Sequence, residues 1–173
     1  MPHATVEQNP ENMKYLTVIL FSLCTLFLQS QTGVVNEGGF IKVDTGAFIK
    51  IEGDSTMGYQ NLSFGGYNGE VNLNGEIFVD GFIKNEASAG SLFINRNGAG
   101  KIIFTGSSGQ VLGGSRSIET ENVQLTGEGL VILTNNSSMY DLQLLQDANL
   151  SANDGVSLTI SGDLNNEGSI TLD

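Results

Sequence analysis

The stretch GGFIKVDTGAFIKIEG, residues 38–53, carries the same four-residue pattern twice. Phe-Ile-Lys-Val at residues 40–43 returns as Phe-Ile-Lys-Ile at residues 48–51, with Asp-Thr-Gly-Ala between the two copies. Each copy is long enough for one short strand, and the residues between them favour a turn. The two strands can pair as a hairpin, or they can follow each other in one coil of a solenoid. The solenoid arrangement, which we favour, sends the apolar residues of both copies into a core and points Lys42 and Lys50 outward.

Short alternating apolar pairs continue along the rest of the chain. The pairs are Val71/Leu73, Ile77/Val79, Leu92/Ile94, Ile102/Phe104, Val123/Leu125, Val131/Leu133, Leu142/Leu144, Leu158/Ile160 and Ile170/Leu172. Alternation with a period of two residues is typical of strands that are buried on one side. Clusters rich in Gly and Asn separate the pairs and supply turns. The sequence therefore predicts an all-β fold.

The strands hold only about two inward residues each, which is few for a β-sandwich or barrel. Short strands with approximate self-similarity favour a single-stranded parallel β-solenoid, or β-helix, of about six coils with about 20 residues per coil. A β-sandwich and a stack of hairpins are the alternatives. We assign residues 34–173 to the solenoid. Because the sequence stops at GSITLD, inside a strand-like segment, we expect the repeats to continue beyond the C-terminus.

The N-terminal segment has a different character. Lys14 precedes an apolar run over residues 15–28, which is typical of a secretory signal peptide and is shorter than the roughly 20 residues of a membrane span. We assign residues 13–30 to the signal peptide and residues 1–12 to an extension from a misplaced start. An uncleaved anchor helix is the alternative. Cys24, the one cysteine, lies inside the apolar run, so we expect the mature chain to have no disulfide. Cleavage also removes the apolar run, so we expect no stable membrane span after it.

The charge balance argues against two classes of partner. Lys and Arg number 7 and Asp and Glu number 19, giving a net charge of −12. Nucleic acids and anionic membrane surfaces select basic proteins, so neither is an expected partner. The single histidine, His3, and Cys24 both precede the mature chain. Nucleophilic triads built on histidine and zinc sites built on histidine or cysteine are therefore not expected.

Several segments resemble a repeat found in exported, adhesin-like surface proteins of Bacteroidota. They are Phe104-Thr105-Gly106, Gln110-Val111-Leu112-Gly113, Asn122-Val123-Gln124-Leu125 and the run LTISGDLNN at residues 158–166. The resemblance covers roughly residues 65–173. It implies a parallel β-helix in a protein that is secreted or held at the cell surface, outside the outer membrane.

No catalytic, cofactor-binding or metal-binding residue is assigned from the sequence. The carboxylates of the N-terminal half are scattered at turns: Asp44, Glu52, Asp54, Glu70, Glu76 and Asp80. A polysaccharide-acting β-helix enzyme or a carbohydrate-binding module is the alternative function, with Tyr59, Tyr67 and Tyr140 as weak sugar platforms. Structural calcium at the turns 52–54, 79–81 and 153–155 is an alternative to simple solvated carboxylates.

One segment interrupts the rhythm of strands. The run GDSTMGYQNLSFGGYNG, residues 53–69, carries Tyr59, Phe64 and Tyr67, either in a projecting loop or in a cap over the first coil. Asparagines at the turns are candidates for stacked ladders: Asn72, Asn74, Asn135, Asn136, Asn165 and Asn166. The sequence as a whole predicts a non-catalytic, exported structural or adhesive protein, a rigid solenoid that presents loops to an extracellular protein or glycan.

Overall fold

The structure, a computed structural model, describes residues 33–94 and 99–172. The start extension and the signal peptide assigned to residues 1–30 lie outside the described residues. Within the described ranges the chain forms seventeen strands. They are β1 Gly33–Glu37, β2 Phe40–Val43, β3 Phe48–Ile51, β4 Gly58–Phe64, β5 Tyr67–Asn68, β6 Glu70–Leu73, β7 Glu76–Val79, β8 Phe82–Asn85, β9 Lys101–Phe104, β10 Gln110–Gly113, β11 Ile118–Leu125, β12 Leu130–Leu133, β13 Ser137–Leu144, β14 Asn149–Ala152, β15 Leu158–Ile160, β16 Leu164–Asn166 and β17 Ser169–Leu172.

The strands stack in parallel into three faces. The first face follows the order β1-β4-β8-β10-β12-β14-β17, and β2 and β6 form the second face. The third face follows the order β3-β7-β9-β11-β13, and both β15 and β16 pair with β13. Apart from β15 and β16, which both pair with β13, and the short antiparallel β5, consecutive strands lie on different faces, so the chain winds as a parallel β-solenoid of about six coils. The predicted fold is confirmed, and the sandwich and the hairpin stack are excluded.

The coils differ in length along the stack. On the first face Val131 pairs with Leu150, which is 19 residues further on. Phe82 pairs with Val111, so the coil between them takes 29 residues. The strands of the long coil keep their register, and residues 86–91 of that coil lie at the corner after β8. Corners therefore absorb insertions without disturbing the ladders of hydrogen bonds.

The repeated stretch at residues 38–53 adopts the solenoid arrangement. β2 pairs with β6 and β3 pairs with β7, so the two copies do not pair with each other. Lys42 and Lys50 point outward as predicted. Phe40 and Phe48 are exposed by 59% and 65%, which corrects the prediction that all apolar residues of the two copies enter the core. The reason is the two-residue period of a strand, which places each phenylalanine on the same side as its lysine.

The core is a continuous column of aliphatic side chains. On the third face Ile77, Ile102, Val123 and Leu142 are register partners, and each is buried. Each such side chain contributes about 1.5–3 kcal/mol through burial. The predicted inward pairs are buried through the middle of the stack. Ile94 and Leu172 are exposed, because Phe93 takes the inward position beside Leu92 and because the last described coil has no coil above it among residues 33–172.

Glycines occupy inner corners where successive coils come closest. A Cβ atom placed on Gly106 would lie 2.1 Å from the carbonyl oxygen of Asp80 in the preceding coil. On Gly81 it would lie 1.9 Å from the carbonyl oxygen of Met57. No side chain is compatible with such distances. These glycines are therefore required by the packing of backbone against backbone.

Candidate functional site

Gln110, part of the segment that carries the family resemblance, is a structural residue. Its side chain is buried beneath the turn that connects the third face to the first. Its Oε1 accepts the N–H of Gly106 at 3.2 Å, and its Nε2 donates to the carbonyl oxygen of Gly106 at 3.1 Å. Gln110 thus joins the Phe-Thr-Gly segment to the following strand. Gln110 therefore holds the coil together and is not available to a ligand.

A column of three buried asparagines stabilises the corner after the first face. Asn36 pairs in register with Asn61, and Asn61 pairs with Asn85. We call these three residues the corner asparagines. All three side chains are buried, and a buried amide that lacks partners would destabilise the fold.

The corner asparagines bond to the backbone rather than to one another. Nδ2 of Asn61 donates to the carbonyl oxygen of Gly69 at 3.1 Å, across the corner of its own coil. Oδ1 of Asn61 accepts the N–H of Glu86, at 3.1 Å, from the next coil. One side chain therefore bonds to backbone groups of two coils, and the N–H of Glu86 is shared between Oδ1 and the backbone carbonyl oxygen of Asn61.

The asparagines that the sequence suggested as ladder candidates do not stack on one another. In the register, Asn72 pairs with Lys42 and Asn165 pairs with Gln143. The Oδ1 of Asn136 accepts the N–H of Ser157 and so serves a turn. The candidate ladders are not formed at these positions, because the register partners of Asn72 and Asn165 in the neighbouring coils are Lys42 and Gln143 and not asparagines.

Tyr59 belongs to the core and cannot act as a sugar platform. Its ring is fully buried, and Nδ2 of Asn36 donates to its hydroxyl oxygen at 2.9 Å. Burial raises the pKa of Tyr59 from 10 to about 12, because the phenolate would lose its hydration, and the hydrogen bond from Asn36 opposes this shift.

The raised pKa of Tyr59 predicts a loss of stability in alkali. The folded state holds the proton up to a pH of about 12, whereas the unfolded chain releases it near pH 10. The stabilising contribution is therefore complete below pH 10 and is lost as the pH rises from 10 to 12, by about 2–3 kcal/mol. Urea unfolding at pH 8 and pH 11.5 should show this loss in the wild type beyond that in Tyr59→Phe. An identical pH dependence in the two proteins would contradict the prediction.

The turn carboxylates considered for calcium act as acceptors for neighbouring protein groups. Oδ1 of Asp54 accepts the hydroxyl and the N–H of Thr56, and these bonds lower the pKa of Asp54. Oδ2 of Asp80 accepts the N–H of Gly53 at 3.0 Å, and its Oδ1 accepts the hydroxyl of Thr105. Among the described residues, no three Asp, Glu, His or Cys side chains lie close enough together to hold a metal ion.

The segment at residues 53–69 contributes both a core strand and a projection. β4 begins in the first face and continues beyond it, and its end pairs antiparallel with β5. Gly65 and Gly66 form the tip with φ values of +60° and +85°. Phe64 and Tyr67 flank the tip and are exposed by 70% and 75%. We call residues 63–68 the hairpin. It matches the projecting loop and not the cap.

The base of the hairpin is fixed to the solenoid. The hydroxyl of Ser63 bonds to the side chain of Asn68 within the hairpin. The N–H of Ser88, in the next coil, donates to the same hydroxyl oxygen at 2.7 Å. The two aromatic rings are thus held out from a fixed base, which lowers the entropy lost when a partner binds.

A polar groove of about 380 Å³ lies on the outer side of the third face. It is lined by Lys101, Asn122, Val123, Gln124, Asp141, Leu142, Gln143, Asp163 and Asn165. We call it the third-face groove. The sequence predicted Val123 and Leu142 as inward residues and Asn165 as a ladder candidate, but it did not predict a groove. The available signal was the outward positions inside the predicted strands, where Gln124 and Gln143 alternate with buried residues.

The six carboxylates considered for an enzyme are not gathered in this groove. Glu76 lies in a second depression of about 440 Å³ that shares Lys101 and Asn122 with it. Asp44 and Glu52 form ion pairs with Lys42 and Lys50 on the surface. The candidates are therefore dispersed over several corners and faces.

Comparisons with protein-family models, with curated proteins and with solved structures each find no match to this chain. Within residues 33–94 and 99–172, no helix has the length and apolar character needed to cross a membrane. The functional argument therefore rests on the surfaces of the solenoid, which are the hairpin and the third-face groove.

Proposed function

We propose that the chain is an exported, non-catalytic β-solenoid of the cell surface or extracellular space that serves as a structural or adhesive element. In this proposal the hairpin contacts an extracellular protein or glycan. The observation that carries it is the exposure of Phe64 and Tyr67 on a projection with a fixed base. Neighbouring aromatic side chains that are exposed on a protein surface are characteristic of sites that contact a binding partner.

The solenoid suits a load-bearing role. Its core is continuous along the stack, and its strands bond to coils above and below. Repeat architectures of this kind form stiff rods whose stability comes from contacts between neighbouring repeats. The resemblance of residues 65–173 to repeats of exported adhesin-like proteins of Bacteroidota agrees with this role. A polysaccharide-acting enzyme is the second candidate, favoured by the carboxylates Asp141 and Asp163 in the third-face groove.

The proposal is tested in the organism that encodes the chain. Antibodies raised against the full chain should label intact cells, and deletion of the gene should reduce attachment of the cells to surfaces and to one another. We expect the wild-type gene to restore attachment and the double variant Phe64→Ser, Tyr67→Ser to restore less than half of it. Phe40→Ser, which removes an exposed aromatic ring from the second face, is the matched control and should restore attachment fully.

Two results would contradict the proposal. The first is labelling that requires permeabilised cells, and the second is full restoration by the hairpin double variant. The enzymatic candidate is examined by incubating the purified full chain with neutral and acidic polysaccharides and measuring new reducing ends. Release of reducing ends that is lost in Asp141→Asn would replace the structural proposal with the enzymatic one.

A further inference from the structure

The third-face groove places hydrogen-bonding side chains of successive coils in two adjacent rows. Gln124, Gln143 and Asn165 are register partners and form one row. The other row contains Lys101, Asn122 and Asp141, which are also register partners, and Asp163 extends it. Neighbouring strands are about 4.8 Å apart, so each row repeats at that interval along the stack.

The amide row has unused hydrogen-bonding capacity. In the described part of the chain, no hydrogen bond is formed by the side chains of Gln124, Gln143 or Asn165. Each amide offers two N–H donors and one carbonyl acceptor. The backbone beneath Gln124 and Gln143 is already engaged, because β11 pairs with β9 and β13, and β13 pairs with β11, β15 and β16. A ligand over these two strands can bond to side chains but cannot add a strand, which disfavours an extended peptide there.

An aromatic ring and a carboxylate meet beside the groove, because Tyr140 lines a neighbouring pocket and precedes Asp141 on the same strand. A Cβ atom on Gly162 would lie 2.9 Å from Cε1 of Tyr140 and 2.3 Å from Oδ1 of Asp141. The absence of a side chain at Gly162 therefore allows the half-exposed ring of Tyr140 to lie beside the carboxylate of Asp141. That carboxylate is fixed by the N–H of Asp163, which donates to Oδ1 of Asp141 at 2.7 Å.

The charges of the groove select among hydroxyl-rich ligands. Asp141 and Asp163 lie at the end near Tyr140, and Lys101 lies at the opposite end of the row. The net charge of the chain is −12. Uronate, sulfate and phosphate groups would meet like charges at the acidic end, whereas the hydroxyls of a neutral sugar can donate to these carboxylates.

We propose that the third-face groove binds a neutral polysaccharide chain lying along the stack. The ring of Tyr140 contacts the apolar face of one sugar from beside the groove, and Asp141 and Gln143 bond to the hydroxyls of that sugar. Gln124 and Asn165, on the coils before and after, bond to the sugars on either side. This site lies on a different face from the base of the hairpin and does not rest on the adhesive function proposed above.

The test measures binding of defined oligosaccharides to the purified full chain by titration calorimetry. The probes are neutral hexasaccharides of glucose, mannose and galactose, in α and β linkages, with a hexasaccharide of galacturonate as the acidic comparison. We expect at least one neutral hexasaccharide to bind. Gln143→Ala should weaken it about fivefold, corresponding to one lost hydrogen bond, and Tyr140→Ser should weaken it tenfold or more. Gln60→Ala, which removes an outward amide from the first face, is the matched control and should bind as the wild type does.

Three outcomes would overturn the proposal. They are no binding of any neutral hexasaccharide at millimolar concentration, tighter binding of the galacturonate probe, and equal weakening by Gln60→Ala and Gln143→Ala. Circular dichroism and thermal melting establish that each variant is folded, and if Tyr140→Ser does not fold, Gln143→Ala decides alone. The hairpin variant Phe64→Ser, Tyr67→Ser should retain the binding, which separates failure here from failure of the adhesive proposal.

Discussion

Replacing Gly106 by alanine is expected to lower the free energy of unfolding by about 3 kcal/mol. The added methyl group would lie 2.1 Å from the carbonyl oxygen of Asp80 and 2.9 Å from its carbonyl carbon. Both are backbone atoms of the preceding coil and cannot rotate away. The coils must separate locally, which lengthens the hydrogen bonds beside this corner, including that from Thr105 N–H to the carbonyl oxygen of Val79. Urea unfolding followed by circular dichroism measures the loss.

Gly109 provides the matched control for this substitution. It lies three residues further along the same turn, and a Cβ atom there would meet nothing within 4 Å. Gly109→Ala should leave the stability unchanged or raise it by about 0.5 kcal/mol through the lower entropy of the unfolded chain. Equal stability of the Gly106 and Gly109 variants would show that the close approach of coils is not a constraint.

Replacing Asn61 by alanine should cost about 2–3 kcal/mol. The change leaves the buried carbonyl oxygen of Gly69 without its side-chain donor, at about 1–3 kcal/mol, whereas the N–H of Glu86 keeps the backbone carbonyl oxygen of Asn61 as its acceptor at 3.1 Å. The side chain is fully buried, so water does not replace the lost amide without rearrangement.

Gln60, the residue before Asn61, provides the matched control. Gln60 lies on the same strand but points outward, so Gln60→Ala should change the free energy of unfolding by no more than about 0.5 kcal/mol. Both variants are measured by chemical unfolding of the full chain. A small effect at both positions would mean that the corner asparagines do not stabilise the turns, and the column would then have no structural role.

The inward positions of the solenoid could be predicted from the sequence because alternation is a local property of a strand. Val123 and Leu125 face the core whatever lies on either side of them. The outward orientation of Phe40 and Phe48 was not predicted, because their hydrophobicity was given more weight than the two-residue alternation of the strand. In that alternation, Ile41 and Val43 mark the inward side of β2. The hairpin could be recognised as an interruption, but its projection from the corner could not.

The corner asparagines and the third-face groove depend on coil length, which the sequence does not state. Asn36 and Asn61 come into register over 25 residues, whereas Gln124 and Gln143 do so over 19. If every coil is assumed to have the same number of residues, either the asparagines or the glutamines align between coils, but not both. Side chains of different coils can be matched only once the insertions at the corners are known, so a site made from several coils is visible only in the structure.

The backbone hydrogen bonds between coils run along the axis of the stack. When the two ends of the stack are pulled apart along that axis, the hydrogen bonds of one coil therefore break before those of the next. The bonds of all coils do not bear the force together in shear. A coil such as that from Val131 to Leu150 occupies about 4.8 Å of the stack, but its 19 residues span about 65 Å when extended. We expect the stack under tension to lengthen in steps of this size. In the proposed adhesive role, the fold would thus serve as a reserve of length that yields before the attachment breaks.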